Sequence, residues 1–187
     1  MASTGGAMPT GTSFAPVVAI PGGVAEDAVS ALVNLVGTLY KGEWKELPDF
    51  SKLKPAQIED ENTGIVSPEQ SGLRKNFALV WEAKFEAKEE GKYTFYLASD
   101  DGSRFYLDNK LVINNDGLHG MDEKSATVDL AVGSHPLVLT YFDNGGGDGL
   151  EFAWSGPGVA KQRIPTSVLS TGGGEETVHD VAIRALS

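Results

Sequence analysis

Cysteine is absent from all 187 residues. That removes disulfides, thiolate nucleophiles and cysteine-based zinc sites, and it leaves the redox compartment open. No apolar run reaches the ~20 residues that cross a bilayer as a helix, so direct membrane insertion is not expected. Basic charge is in deficit, with 15 Lys and Arg against 26 Asp and Glu and a net charge of −11. A surface of that sign repels phosphate backbones and anionic lipid, so nucleic acid is not an expected partner. The start, Met1-Ala-Ser-Thr-Gly-Gly-Ala7, lacks the positive n-region of a signal peptide. Nucleophile elbow, Gly-rich phosphate loop, zinc motif and internal repeat are missing as well. Of the three histidines, His179 lies on a stretch of helical spacing with no partner at ligand distance in sequence.

What the chain has is glycine-punctuated alternation, with 23 Gly and 9 Pro. Phe77, Leu79, Trp81, Ala83 and Phe85 fall on one face of an extended segment, with Glu82, Lys84 and Glu86 on the other, the pattern of a half-buried antiparallel strand. Tyr93, Phe95 and Leu97 repeat the period of two, as do Phe105 and Leu107, then Ala126 to Val132, Leu137 to Tyr141, and Leu150 to Trp154. Asp108-Asn109-Lys110 reads as a hairpin turn. The predicted class is all-β, an antiparallel β-sandwich with short helical or irregular N- and C-terminal extensions. Residues 1–36 form the N-terminal extension, 37–170 the sandwich, and 171–187 a Gly-rich linker and the start of a helix. Val29, Leu32, Val33 and Val36 have helical spacing and lead either into a short helix or straight into a first strand near Thr38-Leu-Tyr40. Residues 51–76 read as a long irregular surface crossing. Arg163 to Leu169 reads as a closing edge, since Pro165 cannot donate to a central ladder. Trp44, in the loop after the first strand, either packs on the sandwich or stacks on a sugar ring.

Two acidic turns compete for chemistry, Asp100-Asp101-Gly102 and Asp143-Asn-Gly-Gly-Gly-Asp-Gly149. Both read as hairpin ends, and such loops can gather at one end of a sandwich. Consecutive side chains on an extended strand point to opposite faces, so Asp100 and Asp101 share a ligand only if their peptide bond is cis. Ca²⁺, which takes about six to eight oxygen ligands and accepts carboxylates, suits such a pair. Aspartate is also common in turns for its backbone hydrogen bonds alone, and that alternative stays open.

Three runs resemble the anthrax-protective-antigen (PA-fourteen) domain family, and in the family's order. They are Gly91 to Asp108 around Ser99-Asp-Asp-Gly-Ser-Arg104, Lys110 to Gly120 ending Asp116-Gly-Leu-His-Gly120, and Tyr141 to Leu150. The resemblance extends from about Gly37 to Leu169. It implies an antiparallel sandwich and, in the sugar-binding adhesin members, Ca²⁺ held by two aspartates joined through a cis peptide. Carried onto this chain, the metal ligands are Asp100, Asp101 and Asp143 with the carbonyls of Gly145 and Gly147. Sugar would meet Asp100, Asp101, Asn144, Asp148 and His119, its vicinal hydroxyls completing the ion's shell. Oxygen ligands without nitrogen or sulfur select calcium over zinc. Asp116 is a turn cap and a reserve calcium ligand, and Arg104 is expected to pair with a strand carboxylate such as Asp108. The second loop carries no aromatic residue to stack on a ring.

The leading expectation is therefore a non-catalytic, Ca²⁺-dependent carbohydrate-binding module. It would belong to a larger exported protein, extracellular, cell-surface or periplasmic, and work beside that protein's other domains in adhesion. The alternative is a structural or protein-interaction module without sugar binding. A glycosidase is not expected, since neighbouring aspartates sharing one cation do not supply the separations of ~5 or ~6.5–9.5 Å that such chemistry uses.

Overall fold

The computed structural model describes residues 36–56 and 75–170. Ten strands run in chain order: β1 (Val36–Lys41), β2 (Phe77–Ala87), β3 (Gly91–Asp100), β4 (Ser103–Leu107), β5 (Lys110–Asn115), β6 (Asp122–Leu130), β7 (Gly133–Asp143), β8 (Gly149–Gly156), β9 (Val159–Arg163) and β10 (Leu169–Ser170). They form two antiparallel sheets. The first has the order β1-β2-β7-β4-β5, with β10 also paired to β2, and the second β6-β3-β8-β9. The expected helices before residue 36 and after residue 170, and most of the crossing between β1 and β2, lie outside the described residues.

The period of two places the predicted faces together. Phe77, Leu79, Trp81, Ala83 and Phe85 of the first sheet meet Tyr93, Phe95, Leu97, Phe152 and Trp154 of the second in one buried core. Phe85 sits at its centre, edge-on to Tyr93, Phe95 and Trp154 with ring centroids 5.6, 5.2 and 5.3 Å away. Such edge-to-face contacts add roughly 0.5–1.5 kcal/mol each beyond the burial of area.

The other face of β2 corrects the half-buried expectation. Ala78 and Val80 are buried there with Tyr40, Tyr106, Val138 and Phe142, under Leu47 and Phe50, and Glu82 is buried too. The segment after β1, including the 3₁₀ turn Phe50–Lys52, folds back over the first sheet and covers it. Trp44 packs against this second cluster, which is the packing role. Asp108 and Asn109 form the expected tight hairpin, both with positive φ (49° and 61°). The closing edge is also observed: Leu169 pairs with Phe85 after Pro165 has passed outside the ladder.

The acidic turns are not hairpins. β3 pairs with β6 and β8, whereas β4 pairs with β5 and β7, so residues 101–102 carry the chain from one sheet to the other. The loop from β7 to β8 crosses between the sheets in the same way, and so does the loop from β5 to β6. Alternation within each strand is identical whether the next strand pairs with it or faces it, which is why the sequence pattern did not separate the two. Ser103 lies opposite both Asn115 and Tyr141, and Asp100 opposite Gly149, so all three crossings gather at one end of the sandwich.

Candidate functional site

Asp100 ends β3, and the peptide bond joining it to Asp101 is cis. Asp101 is buried and Asp100 partly exposed. The turn is held by groups from three other strands. The hydroxyls of Ser99 and Ser103, both buried, are 2.7 Å apart on either side of it. Asn115 Nδ2 donates to Ser99 Oγ (3.2 Å) and to the Asp122 carbonyl (3.0 Å). The Tyr141 hydroxyl donates to the Asp100 carbonyl at 2.7 Å. Gly102 is required by close approach, since a Cβ there would stand 2.5 Å from the Phe142 ring and 2.8 Å from the Gly117 nitrogen.

The second acidic loop closes on the first. Asp143, the last residue of β7, is only 1% exposed. Its Oδ1 accepts from the Gly145 N–H at 3.0 Å, while its Oδ2 is buried with no hydrogen-bond partner. Asn144 N–H donates to Asp101 Oδ2 at 2.9 Å, tying the loops together. A Cβ on Gly147 would lie 2.7 Å from Asp100 Oδ2, so this backbone passes against the carboxylate because it carries no side chain. Burial pushes the Asp143 carboxyl up to about 6; the Gly145 and Asn76 N–H groups work against that, and Asp101 and Asp148 add to it by repulsion. Asp100 is raised in the same way, first by burial and then by the charge on Asp101. Both shifts come first from burial, and repulsion among the neighbouring carboxylates adds to it.

Residues 116–121 form the third wall. Asp116 is fully engaged: Oδ2 accepts from Arg104 Nη2 at 2.6 Å, and Oδ1 from the Leu47 and Gly117 N–H groups at 2.8 and 2.9 Å. This corrects two expectations. Arg104 pairs with Asp116, not Asp108, because Asp108 lies at the far hairpin, where it meets His135 Nδ1 at 2.8 Å. Asp116 is also not a spare metal ligand, since its oxygens already bind the loop and the segment after β1. His119 bonds backbone carbonyls, Gly120 through Nδ1 (2.8 Å) and Asn115 through Nε2 (2.9 Å). Burial lowers its basicity, but those carbonyls and the nearby Asp122 and Asp101 outweigh it and leave the imidazole raised. Both ring nitrogens face backbone carbonyls, so His119 does not present a free hydrogen-bonding group.

Of the predicted residues, the fold brings together Asp100, Asp101, Asp143, Asn144 and Gly147, with Asp148 near enough to raise both Asp100 and Asp143. Gly145 joins through its N–H, while its Cα faces the stem of Lys75. Among the described residues no three Asp, Glu or His side chains stand as a ready-made ligand cluster. The residues nevertheless fit a hard cation with backbone oxygens added, since one buried carboxylate oxygen has no partner and the loop facing Asp100 is stripped to glycine. Ser99, Ser103, Asn115 and Tyr141 were not singled out from sequence. Their serine, asparagine and strand-tyrosine signals are those of ordinary turns and cores.

The PA14 domain family matches residues 38–167. The anti-sigma-I factor RsgI3 of Acetivibrio thermocellus is 28% identical over 152 residues, 79% of this chain and 24% of that protein. The chain thus spans about a quarter of the length of that curated relative. A solved anti-sigma factor domain-containing protein superposes with a TM-score of 0.60 at 26% identity, over 76% of this chain and 49% of the other. A PA14 sugar-binding domain from an RTX adhesin superposes with a TM-score of 0.51 at 16% identity, over 74% and 98% of the two chains, a likeness of fold. With the family matched across both sheets and every loop of the acidic end, this chain belongs to the PA14 domain family.

Proposed function

We propose that this domain is a non-catalytic, Ca²⁺-dependent carbohydrate-binding module within a longer exported protein, acting at the cell surface or outside the cell. The observation that carries the reading is the meeting of the Asp100–Asp101 pair with the loop that begins at Asp143: Asp143 Oδ2 is buried and unpartnered, and the Gly147 backbone passes against Asp100 Oδ2. Asp100, Asp101 and Asp143 would hold the ion, with the carbonyls of Gly145 and Gly147. Bound there, Ca²⁺ supplies an electrophilic centre for vicinal hydroxyls. The protein's own part is orientation. Ser99, Ser103, Asn115 and Tyr141 fix the acidic turn, and Asn144 and Asp148 would offer hydrogen-bonding groups to sugar hydroxyls. The sugar-binding RTX adhesin domain, which shares the fold, supports the class of ligand.

Calorimetric titration of chelator-treated protein with Ca²⁺, followed by a glycan array in Ca²⁺ and in chelator, tests the reading. Saturable Ca²⁺ binding lost in Asp101→Ala, together with chelator-sensitive glycan binding, is the expected result. Ca²⁺ binding without any glycan signal would favour the second reading, a structural or interaction module. That reading draws on the loop 144–148, which has no aromatic ring, and on the small share of the anti-sigma factor that the domain represents.

A further inference from the structure

Two of the four large apolar side chains exposed among the described residues stand on one short loop beside the acidic turns: Leu118, 49% exposed, and Met121, 50% exposed. Their exposure does not follow from a loose loop. Asp116 anchors its start through Arg104 and Leu47, His119 bonds the carbonyls of Asn115 and Gly120, and Asn115 holds the Asp122 carbonyl at its end. Met121 is also placed. Its Cε and Sδ lie 3.2 and 3.4 Å from where a Cβ on Gly149 would stand, and Gly149 is the cross-strand partner of Asp100. A flexible, polarizable thioether therefore stands over Gly149, directly across the ladder from Asp100, at the end of a glycine-rich loop that offers no apolar surface of its own.

Resting on the reading above, we propose that Met121, flanked by Leu118, is the apolar wall of the sugar site and selects saccharides that present a C–H face or methyl group beside the coordinating diol. Hydroxyls on the ion fix where the ring sits. The thioether and the leucine then distinguish rings by which face or substituent is turned toward them. Sugars with a hydroxyl at that position lose its hydration against Met121 and gain no partner.

The test uses Met121→Ser and Leu118→Ser in the full chain, with methyl glycosides of common hexoses and 6-deoxyhexoses as probes. Ca²⁺ and each glycoside are titrated separately by calorimetry. The expected result is Ca²⁺ affinity within about twofold of the unsubstituted protein and a loss of about tenfold for the preferred glycoside in Met121→Ser, the scale of small apolar contacts in a pocket. The preference among glycosides should flatten. A second readout needs no variant, since Met121 is the one methionine outside residues 1–8. Its ¹³C-labelled ε-methyl resonance should shift on adding glycoside in Ca²⁺ and stay put in chelator. Unchanged glycoside affinity and an unmoved methyl signal, with Ca²⁺ and sugar still bound, would overturn the wall and leave the lectin reading standing. Absence of any Ca²⁺-dependent glycoside binding by the unsubstituted protein would remove that reading and the wall with it.

Discussion

Asp143 gives the sharpest stability prediction, because its carboxyl is buried at the end of β7 and pushed up to about 6 from an ordinary 3.8. For a carboxyl raised in the folded state, the native protein binds the proton more tightly than the unfolded chain. Stability in chelator should therefore rise as pH falls from 7 through 6 toward 5, and level off near the unfolded value. Between pH 7 and 5 the native state takes up close to one proton at this site, worth about 1 kcal/mol once solvent screening is allowed for. For a domain of this size that is about 3–5 °C in melting temperature. Asp100, His119 and His135 are raised too and slope in the same direction, so the slope alone does not identify Asp143. Asp143→Asn isolates it: the substitution keeps an acceptor for the Gly145 N–H and removes the titration. Denaturant unfolding of both proteins in chelator at pH 5, 6 and 7 is the assay. The variant should lose about 1 kcal/mol of the acid-side gain. Parallel pH profiles for the two would refute the picture of Asp143 as a buried, uncompensated charge.

Three further outcomes are expected. Gly147→Ala puts a methyl 2.7 Å from Asp100 Oδ2; it should weaken Ca²⁺ binding by about tenfold or more in calorimetry, with urea stability in chelator changed by less than about 1 kcal/mol. Asp116→Ala strips the partner from Arg104 and the acceptor from the Leu47 N–H, and should cost about 2–4 kcal/mol in urea unfolding, whereas the exposed Asp129→Ala should cost almost nothing. Phe85→Ala, which empties the centre of the inter-sheet core, should cost about 3–5 kcal/mol, and a loss under about 1 kcal/mol in thermal or urea unfolding would contradict the packing described.

Much of the sandwich was legible because alternation reports which face of a strand is dry, and Phe77 to Phe85 or Tyr93 to Leu97 do so without ambiguity. Alternation carries no information about which strand comes next to which. That is why the turns at Asp100 and Asp143 read as hairpins when they are crossings between sheets. The second cluster around Tyr40 and Phe142 was hidden for a related reason. Ala78 and Val80 are small enough to look neutral, and only the fold-back of residues 44–53 buries them. At the site, the carboxylates and glycines announced themselves by family resemblance and chemistry. Asn115, Ser99 and Tyr141 act through contacts across 16 and 41 positions of chain, and no local pattern marks such pairs. Arg104 was assigned the nearer aspartate in sequence, when strand pairing delivers the farther one.

Asp100 and Asp143 are terminal residues of β3 and β7, while Asn144 to Asp148 and Asp116 to Met121 are wholly loop. Two of the three carboxylates proposed to hold the ion thus inherit the stiffness of the ladders, and the side chains proposed to discriminate among ligands hang from short connections that the inter-sheet core does not need. Grip and choice are separately mutable in such a layout. A lineage, or a protein engineer, can rewrite residues 117–121 and the side chains at 144 and 148 repeatedly while the anchoring carboxylates and the glycine backbone of 145–147 keep their positions. One scaffold then serves as a chassis for many recognition specificities.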